Sequence, residues 1–450
     1  MTDVLVLGGG PAGLYAGLLL ARRGMRVAVL ERDERLGGLA GGTEVAGIQV
    51  DFGSHRLHPS IRPDILADLE EMPGLELQVR PRRGRIRLAG RWISFPLRLL
   101  DLIRNLPPSV LARLAAGAAI GRNAAGSSTY EGAVESWLGR PMGELFYYPY
   151  AEKIWGLPPS ELSAEHARRR IASDGVGKLI GKVLRRRNVF LYPRGGFGRI
   201  PAAIADAASR AGVDLVTGAE VTTLTRDRGW RVTTTRGEWR APVLLSTIPM
   251  PSLARMADPP APVAGLLERL RYRSMVLVYL VVPTGRWTDY DAHYFPEKQF
   301  PFTRVSEPKN YRNDPAEPGD RTVICVELPC GFGDRWWRAD GSELVDVIRR
   351  GLRHAGLPDP GDEGTVRRIR HAYPVYPVGA EQAAARVEEW LTGLPGLITL
   401  GRQGLFVHDN THHTLAMAAE AAGAVTDHLT VDREAWAAAR RSFRDHVVED

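Results

Sequence analysis

Residues 3–33 read DVLVLGGGPAGLYAGLLLARRGMRVAVLERD. Val4 to Leu7 is a short, wholly apolar run, as expected of a strand buried on both faces of a parallel sheet. It runs into Gly8, Gly10 and Gly13, spaced G-x-G-x-x-G, with Pro11 and Ala12 inside the loop. A helix is predicted from there to about Arg23, Gly24 ends it, and a second apolar strand, RVAVL, closes at Glu31. In such a loop the first glycine allows a tight turn. The second lets backbone N–H groups reach a pyrophosphate, and the third permits close packing of helix on strand. The helix N-terminus adds partial positive charge. Glu31 can accept from both hydroxyls of an adenosine ribose, and it would repel a 2′-phosphate. Strand, loop, helix, strand and acid in this order predict a site for an ADP moiety.

The rest of the composition narrows the class. A chain of 450 residues exceeds one compact core and suggests roughly two to three domain-sized units. With 44% hydrophobic and 25% charged residues it has the balance of a soluble globular protein. All but five of its 59 basic residues are Arg, and the net charge is +7. Guanidinium forks grip phosphate and carboxylate. The charges are scattered and no nucleic-acid motif appears, so nucleic acid is not an expected partner. Cys325 and Cys330 form no disulfide framework, and no secretion signal opens the chain, which together predict a reducing, cytoplasmic setting. No apolar run reaches the roughly 18 residues of a membrane span.

The loop continues as ERDERLGGLAGG. Glu31, Arg35, Gly37 and Gly38 in this spacing resemble the E-x-x-x-R-x-G-G extension of the amine oxidase and protoporphyrinogen oxidase class of flavoproteins. The resemblance implies FAD as cofactor, with Arg32, Arg35, Gly37, Gly38 and Leu39 along its pyrophosphate and ribityl chain. No second G-x-G-x-x-G lies between a strand and a helix, so a separate nicotinamide domain is not expected. VDFGSHRLHP (50–59) is similar to the segment that passes beside the isoalloxazine ring in the UDP-galactopyranose mutase-like branch. That would put Gly53, Ser54 and His55 against the ring, with His55 facing the reacting centre. No set of ligands is spaced for a metal.

Further segments carry the same resemblance along most of the chain. YYPYAEKIWGLPPSEL (147–162) is similar to the segment whose Tyr and Trp hold a uridine in the mutases, here Tyr150 and Trp155. FPFTRVSEPKNY (300–311) and YPVYPVGAE (373–381) are similar to the segments that bind a diphosphate, through Arg304 and Tyr376. Val221 corresponds to a position near the adenine. LITLGRQGLFVHDN (397–410) resembles the last cofactor-side strand, with Gly401 and Arg402 close to the pyrophosphate. Two departures stand out. A second diphosphate-binding Arg of the mutases is matched by about Asp174, and their Tyr-rich run before the C-terminal helix is FVHDNT here. A carboxylate at 174 would repel a diphosphate. Arg168, Arg169 or Arg194 are the candidates to compensate.

The expected fold is α/β: a discontinuous Rossmann-type FAD-binding domain (1–90, 190–255 and 392–450) and a mixed helical and antiparallel-sheet substrate domain (91–189 and 256–391). The C-terminal segment DREAWAAARRSFRDHVVED reads as a solvated amphipathic helix. The first functional reading is an FAD-dependent oxidoreductase that transfers hydride from a small molecule, anionic or sugar-nucleotide-like, with His55 and Arg304 at the reacting centre. The alternative is a redox-neutral mutase using reduced FAD, and a third is an FAD-bearing protein without turnover. The cluster VHDNTHHTLAMAAEAAG (407–423) would open a helix at Asn410 or Thr411. Its N–H groups at 411–414 would stabilise negative charge on the reduced flavin. His412 and His413 would then be flavin neighbours, and a titrating His412 would make reduction pH-dependent.

Overall fold

The computed structural model describes residues 2–120, 127–171 and 189–448. The opening strand, Val4–Leu7, is the centre of a five-stranded parallel sheet ordered Leu397–Thr399, Val243–Ser246, Val4–Leu7, Val27–Leu30 and Asp214–Val216. Its four side chains are all 0% exposed, which explains an apolar run without alternation. Val4 and Val6 face one side, under the helices Pro11–Arg22, Arg199–Arg210 and Thr411–Ala424, where they meet Leu14, Ile204 and Ala418. Leu5 and Leu7 face the other side, against Trp230 and Val232 of an antiparallel three-stranded sheet and against Val387 of the helix Ala380–Gly393.

A second sheet has seven strands: Gly364–Val375, Arg271–Val282, Thr322–Cys330, Arg304–Ser306, Ala292–Tyr294, Gly84–Leu88 and Arg91–Phe95. Its pairings are antiparallel except that of Ala292–Tyr294 with Gly84–Leu88. Strand alternation sorts its central residues. Ile324, Val326 and Leu328 pack against Leu344, Ile348 and Leu352 of the helix Gly341–His354. Val323 and Cys325 face the opposite way, onto Ile48 and Val50 of the first unit's edge hairpin. Glu327 continues that second row.

Two of the expected boundaries fall across packed elements. A cut at residue 90 would split the hairpin Gly84–Leu88/Arg91–Phe95, which is bonded into the seven-stranded sheet. A cut at 392 would leave the helix Ala380–Gly393 with the wrong partner, because Ala383, Val387 and Leu391 bury against Leu244 and Leu397 of the parallel sheet. We therefore propose divisions before Gly84 and before Ala380. The helix Arg433–Ser442 is capped by Asp432 and inserts Trp436, 1% exposed, into the core beneath the parallel sheet. Glu434, Ala435, Ala437 and Ala438 stay exposed, so the helix keeps the solvated face expected of it and is anchored by Trp436. Beyond it the chain turns back, and the N–H of Val448 donates to the carbonyl of Arg169 at 2.8 Å.

Candidate functional site

The glycine loop is built for close backbone approach. A Cβ on Gly13 would lie 2.0 Å from the carbonyl oxygen of Gly8, so only glycine lets the helix start this near the strand. Gly10 is the helix N-cap, with Pro11 next, and no side chain caps the helix. The second glycine turn closes against the first. The N–H of Gly37 donates to the carbonyl of Gly9 at 2.8 Å, and a Cβ on Gly38 would stand 3.2 Å from Gly10 Cα. A Cβ on Gly401 would be 3.2 Å from that of Ala12, so a third turn meets the same point. Glu31 is buried; its carboxylate accepts from the N–H groups of Gly9 at 2.7 Å and Asp33 at 2.9 Å. Leu39 lies in the short turn Gly38–Ala40, and Val221 begins the strand Val221–Arg226. Arg32 and Arg35 are exposed; Arg32 lies 3.4 Å from Asp33. A backbone-lined cradle of this kind, at an uncapped helix start, fits the pyrophosphate of a dinucleotide.

The cradle leads into a cleft between the two sheets. From the first unit come Ser54, His55, Arg56, Arg402, Asn410 and Thr411; from the other come Tyr150, Arg170, Met275, Thr303, Arg304, Glu327 and Tyr373. His55 stacks on Phe197 at 5.1 Å between centroids, and its Nδ1 lies 3.2 Å from the carbonyl of Gly53. Burial, then Arg402 and Arg304, push its pKa down to about 3, so the imidazole is neutral. Burial and the two cations disfavour the imidazolium, so the ring is a weak proton acceptor and acts as an uncharged hydrogen-bonding group. Arg402 donates twice to the carbonyl of Asp409, at 2.9 and 2.7 Å. Arg304 pairs with Glu327 through two hydrogen bonds, at 2.9 and 2.8 Å. Asp51 braces the loop ahead of His55: it accepts from the N–H of Phe197 at 2.8 Å and from the hydroxyl of Tyr192. Burial raises its pKa to about 6 against the pull of Tyr192 and Arg312.

The sequence pattern described as flavin containing amine oxidoreductase matches residues 11–407. The chain belongs to that family, and its cofactor is FAD. A phytoene dehydrogenase from Streptomyces griseus is 28% identical over 448 residues, covering 81% of this chain and 82% of that protein. Among solved structures, a reduced UDP-galactopyranose mutase matches with a TM-score of 0.80 at 21% identity, over 94% of each chain. Cyclohexylamine oxidase from Brevibacterium oxydans matches with a TM-score of 0.68 at 17% identity, over 98% of this chain and 99% of that one. These two likenesses are of fold. No helix among the described residues of this flavoprotein is long and apolar enough to cross a membrane.

The structure brings Tyr150, Arg304, His55, Arg402 and Thr411 to one cleft, but not Trp155 or Tyr376. Trp155, 3% exposed, stacks on His166 at 4.1 Å and donates to His408 at 3.3 Å. Tyr376, also 3% exposed, donates its hydroxyl to the carbonyl of Phe406 at 2.6 Å. Both belong to an aromatic stack beneath the cleft, and neither side chain is offered to a ligand. Asp174 lies outside the described residues. Besides Arg56, Arg304 and Arg402, the cleft holds Arg170, over the rings of Trp155 and Tyr373. Arg194 pairs with Glu76 at the surface, Arg168 lies 3.8 Å from Glu165, and buried Arg169 bonds Glu165 at 2.7 Å.

Asn410 is the N-cap of the helix Thr411–Ala424, and His413 takes the reciprocal position of a capping box, its ring accepting from the N–H of Asn410. The box uses the N–H of His413, and that of Thr414 goes to the carbonyl of Asn410. Two of the four N–H groups expected at 411–414 are therefore taken up within the cap, and Thr411, at the helix start, lines the cleft. His412 turns towards Ser60, with 3.3 Å between Nε2 and Oγ, and towards the ring of His58. One grouping was not foreseen. Asp409, His413 and His446 hold their possible ligand atoms within 4.8 Å of one another. The rings of His413 and His446 stack at 4.2 Å with 11° between planes, so their lone pairs run side by side and do not converge. Arg169, at 3.4 Å from Asp409, adds a cation. Asp409, paired with Arg169 and 2.9 Å from Nδ1 of His446, holds the C-terminal tail.

Proposed function

We propose that this flavoprotein is an oxidoreductase that removes a hydride from a C–H bond of a small molecule, in the cytoplasm, where Cys325 and Cys330, both free and buried, stay reduced. FAD supplies the electron acceptor. The glycine turns at 8–13, 37–38 and 401 hold it, with Glu31 at the ribose end. Gly53, Ser54 and His55 face it, and the start of the helix at Thr411 stabilises the negative charge that reduction leaves nearby. Met275, Tyr373 and Tyr150 supply the apolar and aromatic surface against which a substrate would lie. His55, neutral and fixed on Phe197, faces the reacting centre as an uncharged hydrogen-bonding group, and the proton lost with the hydride passes to solvent. The observation that carries the reading is this convergence: the loop 53–56 and the helix start from the cofactor side, and the seven-stranded sheet from the other, meet in one cleft. The named relative, a phytoene dehydrogenase, supports a substrate with a C–H bond to oxidise.

The second reading, a redox-neutral mutase, draws on the convergence of Arg170, Arg304 and Arg402 on the same cleft. Anaerobic mixing of the FAD-loaded protein with candidate amines, unsaturated hydrocarbons and nucleotide sugars separates the two. Oxidation bleaches the flavin and gives a product lighter by two hydrogens. A flavin that stays oxidised, together with an isomer of unchanged mass formed only after chemical reduction, would sink the first reading.

A further inference from the structure

Glu327 stands in the middle of the strand Thr322–Cys330, in the row that faces the cofactor side, and is 3% exposed. A buried carboxylate needs partners, and it has three donors. Arg304 lies directly opposite on the neighbouring strand and gives Nε and Nη2. The N–H of Ser54 donates to Oε1 at 2.7 Å, and Nη2 of Arg304 also reaches the carbonyl of Ser54 at 3.4 Å. The loop comes this close at Gly53, whose φ is +98° and whose added Cβ would sit 3.3 Å from Oε1. One side chain therefore does two things. It takes up most of the fork of Arg304, and it ties the loop carrying His55 to the substrate sheet. An anion arriving at Arg304 would find no bidentate fork, and it would meet the charge of Glu327 immediately behind.

We propose that Glu327 is a specificity-determining and positioning residue: it neutralises Arg304, so that the cleft disfavours diphosphate ligands, and it fixes the Ser54–His55 loop against the cofactor. This rests on the cleft being the substrate site and does not depend on which reaction takes place there.

The test uses the FAD-loaded protein and inorganic pyrophosphate, titrated by the change in flavin absorbance and by thermal shift. Glu327→Gln keeps the volume and removes the charge; pyrophosphate should bind at least about tenfold more tightly than to the parent. The double variant Glu327→Gln/Arg304→Gln should lose that gain. Glu327→Asp keeps the charge but draws it back by one methylene; pyrophosphate affinity should stay near the parent's while the flavin absorbance bands shift, because the tie to Ser54 is broken. If Glu327→Gln loads FAD normally but binds pyrophosphate no more tightly, the charge role is overturned. An unaltered flavin spectrum in Glu327→Asp overturns the positioning role. Should Glu327→Gln fail to load FAD, thermal shift compares its apoprotein with that of the double variant, so that binding at the empty cofactor cradle is common to both; equal pyrophosphate affinity overturns the charge role. Neither result depends on turnover, so failure here is distinct from failure to bleach the flavin with substrate.

Discussion

At the scale of single residues, buried charge is the most consequential feature of the cleft. Asp51 is fully enclosed, faced by Tyr192 and Arg312, with Glu327 and Cys325 nearby, and its pKa is raised from 3.8 to about 6. A raised carboxylate means that the folded state holds its proton more tightly than the unfolded chain. That contribution is complete below about 3.8 and is lost as pH rises through about 6. Asp51→Asn is expected to cost stability at low pH, and the cost should shrink as pH rises across this window. Parallel melting curves of parent and variant check this; a constant difference in Tm from pH 4 to 7 would remove Asp51 from the account. Glu327 shows why some of the site could not be read in advance. In VICVELPC a lone acid looks like an outward-facing strand position. Its partner lies 23 residues away on a neighbouring strand, a pairing that only register reveals. Trp155 and Tyr376 lie in the stack beneath the cleft and do not line it, which was hidden for a related reason: an aromatic in a cleft and one in a core are written alike in a sequence.

At the scale of elements, the opening strand–loop–helix was legible because its signals are local. The apolar run, the glycine spacing and the following acid all act within one βαβ turn, and the structure repeats that order. Gly13 is the position where the backbone leaves least room, with an added Cβ 2.0 Å from the Gly8 carbonyl. Gly13→Ala should cost about 1–3 kcal/mol by overpacking. Because the strain falls at the cofactor cradle, FAD content after purification should drop more sharply than helicity. Equal FAD occupancy in the variant would contradict the placement. The helix after Asn410 was legible in kind, through its polar cap and Ala-rich run, but not in detail. A histidine in the reciprocal place of the capping box has no common sequence signature, since Glu or Gln usually stands there.

At the scale of the whole molecule, the tail and the cleft are linked through one buried acid. Asp409 is joined by Arg169 at 3.4 Å and by His446 at 2.9 Å, and Val448 completes the cleft wall. Ending the chain at Asp445 removes one partner of a buried carboxylate, worth about 1–3 kcal/mol, and opens that end of the cleft. Acrylamide quenching of flavin fluorescence should rise severalfold in the shortened protein while FAD stays bound; unchanged quenching would show that the tail does not screen the cleft. The division into two units was readable only in outline, because its boundaries depend on which sheet a hairpin or helix joins. The parallel sheet has a final consequence. Its neighbouring strands come from residues 4–7, 27–30, 214–216, 243–246 and 397–399, so nearly the whole polypeptide must leave the ribosome before the sheet is complete. The first two strands emerge early, with open edges and apolar faces, and must wait through some 180 residues of unrelated chain for the next. In the cell, this chain is therefore expected to depend on holdase chaperones during synthesis, and cofactor capture comes after release rather than during translation.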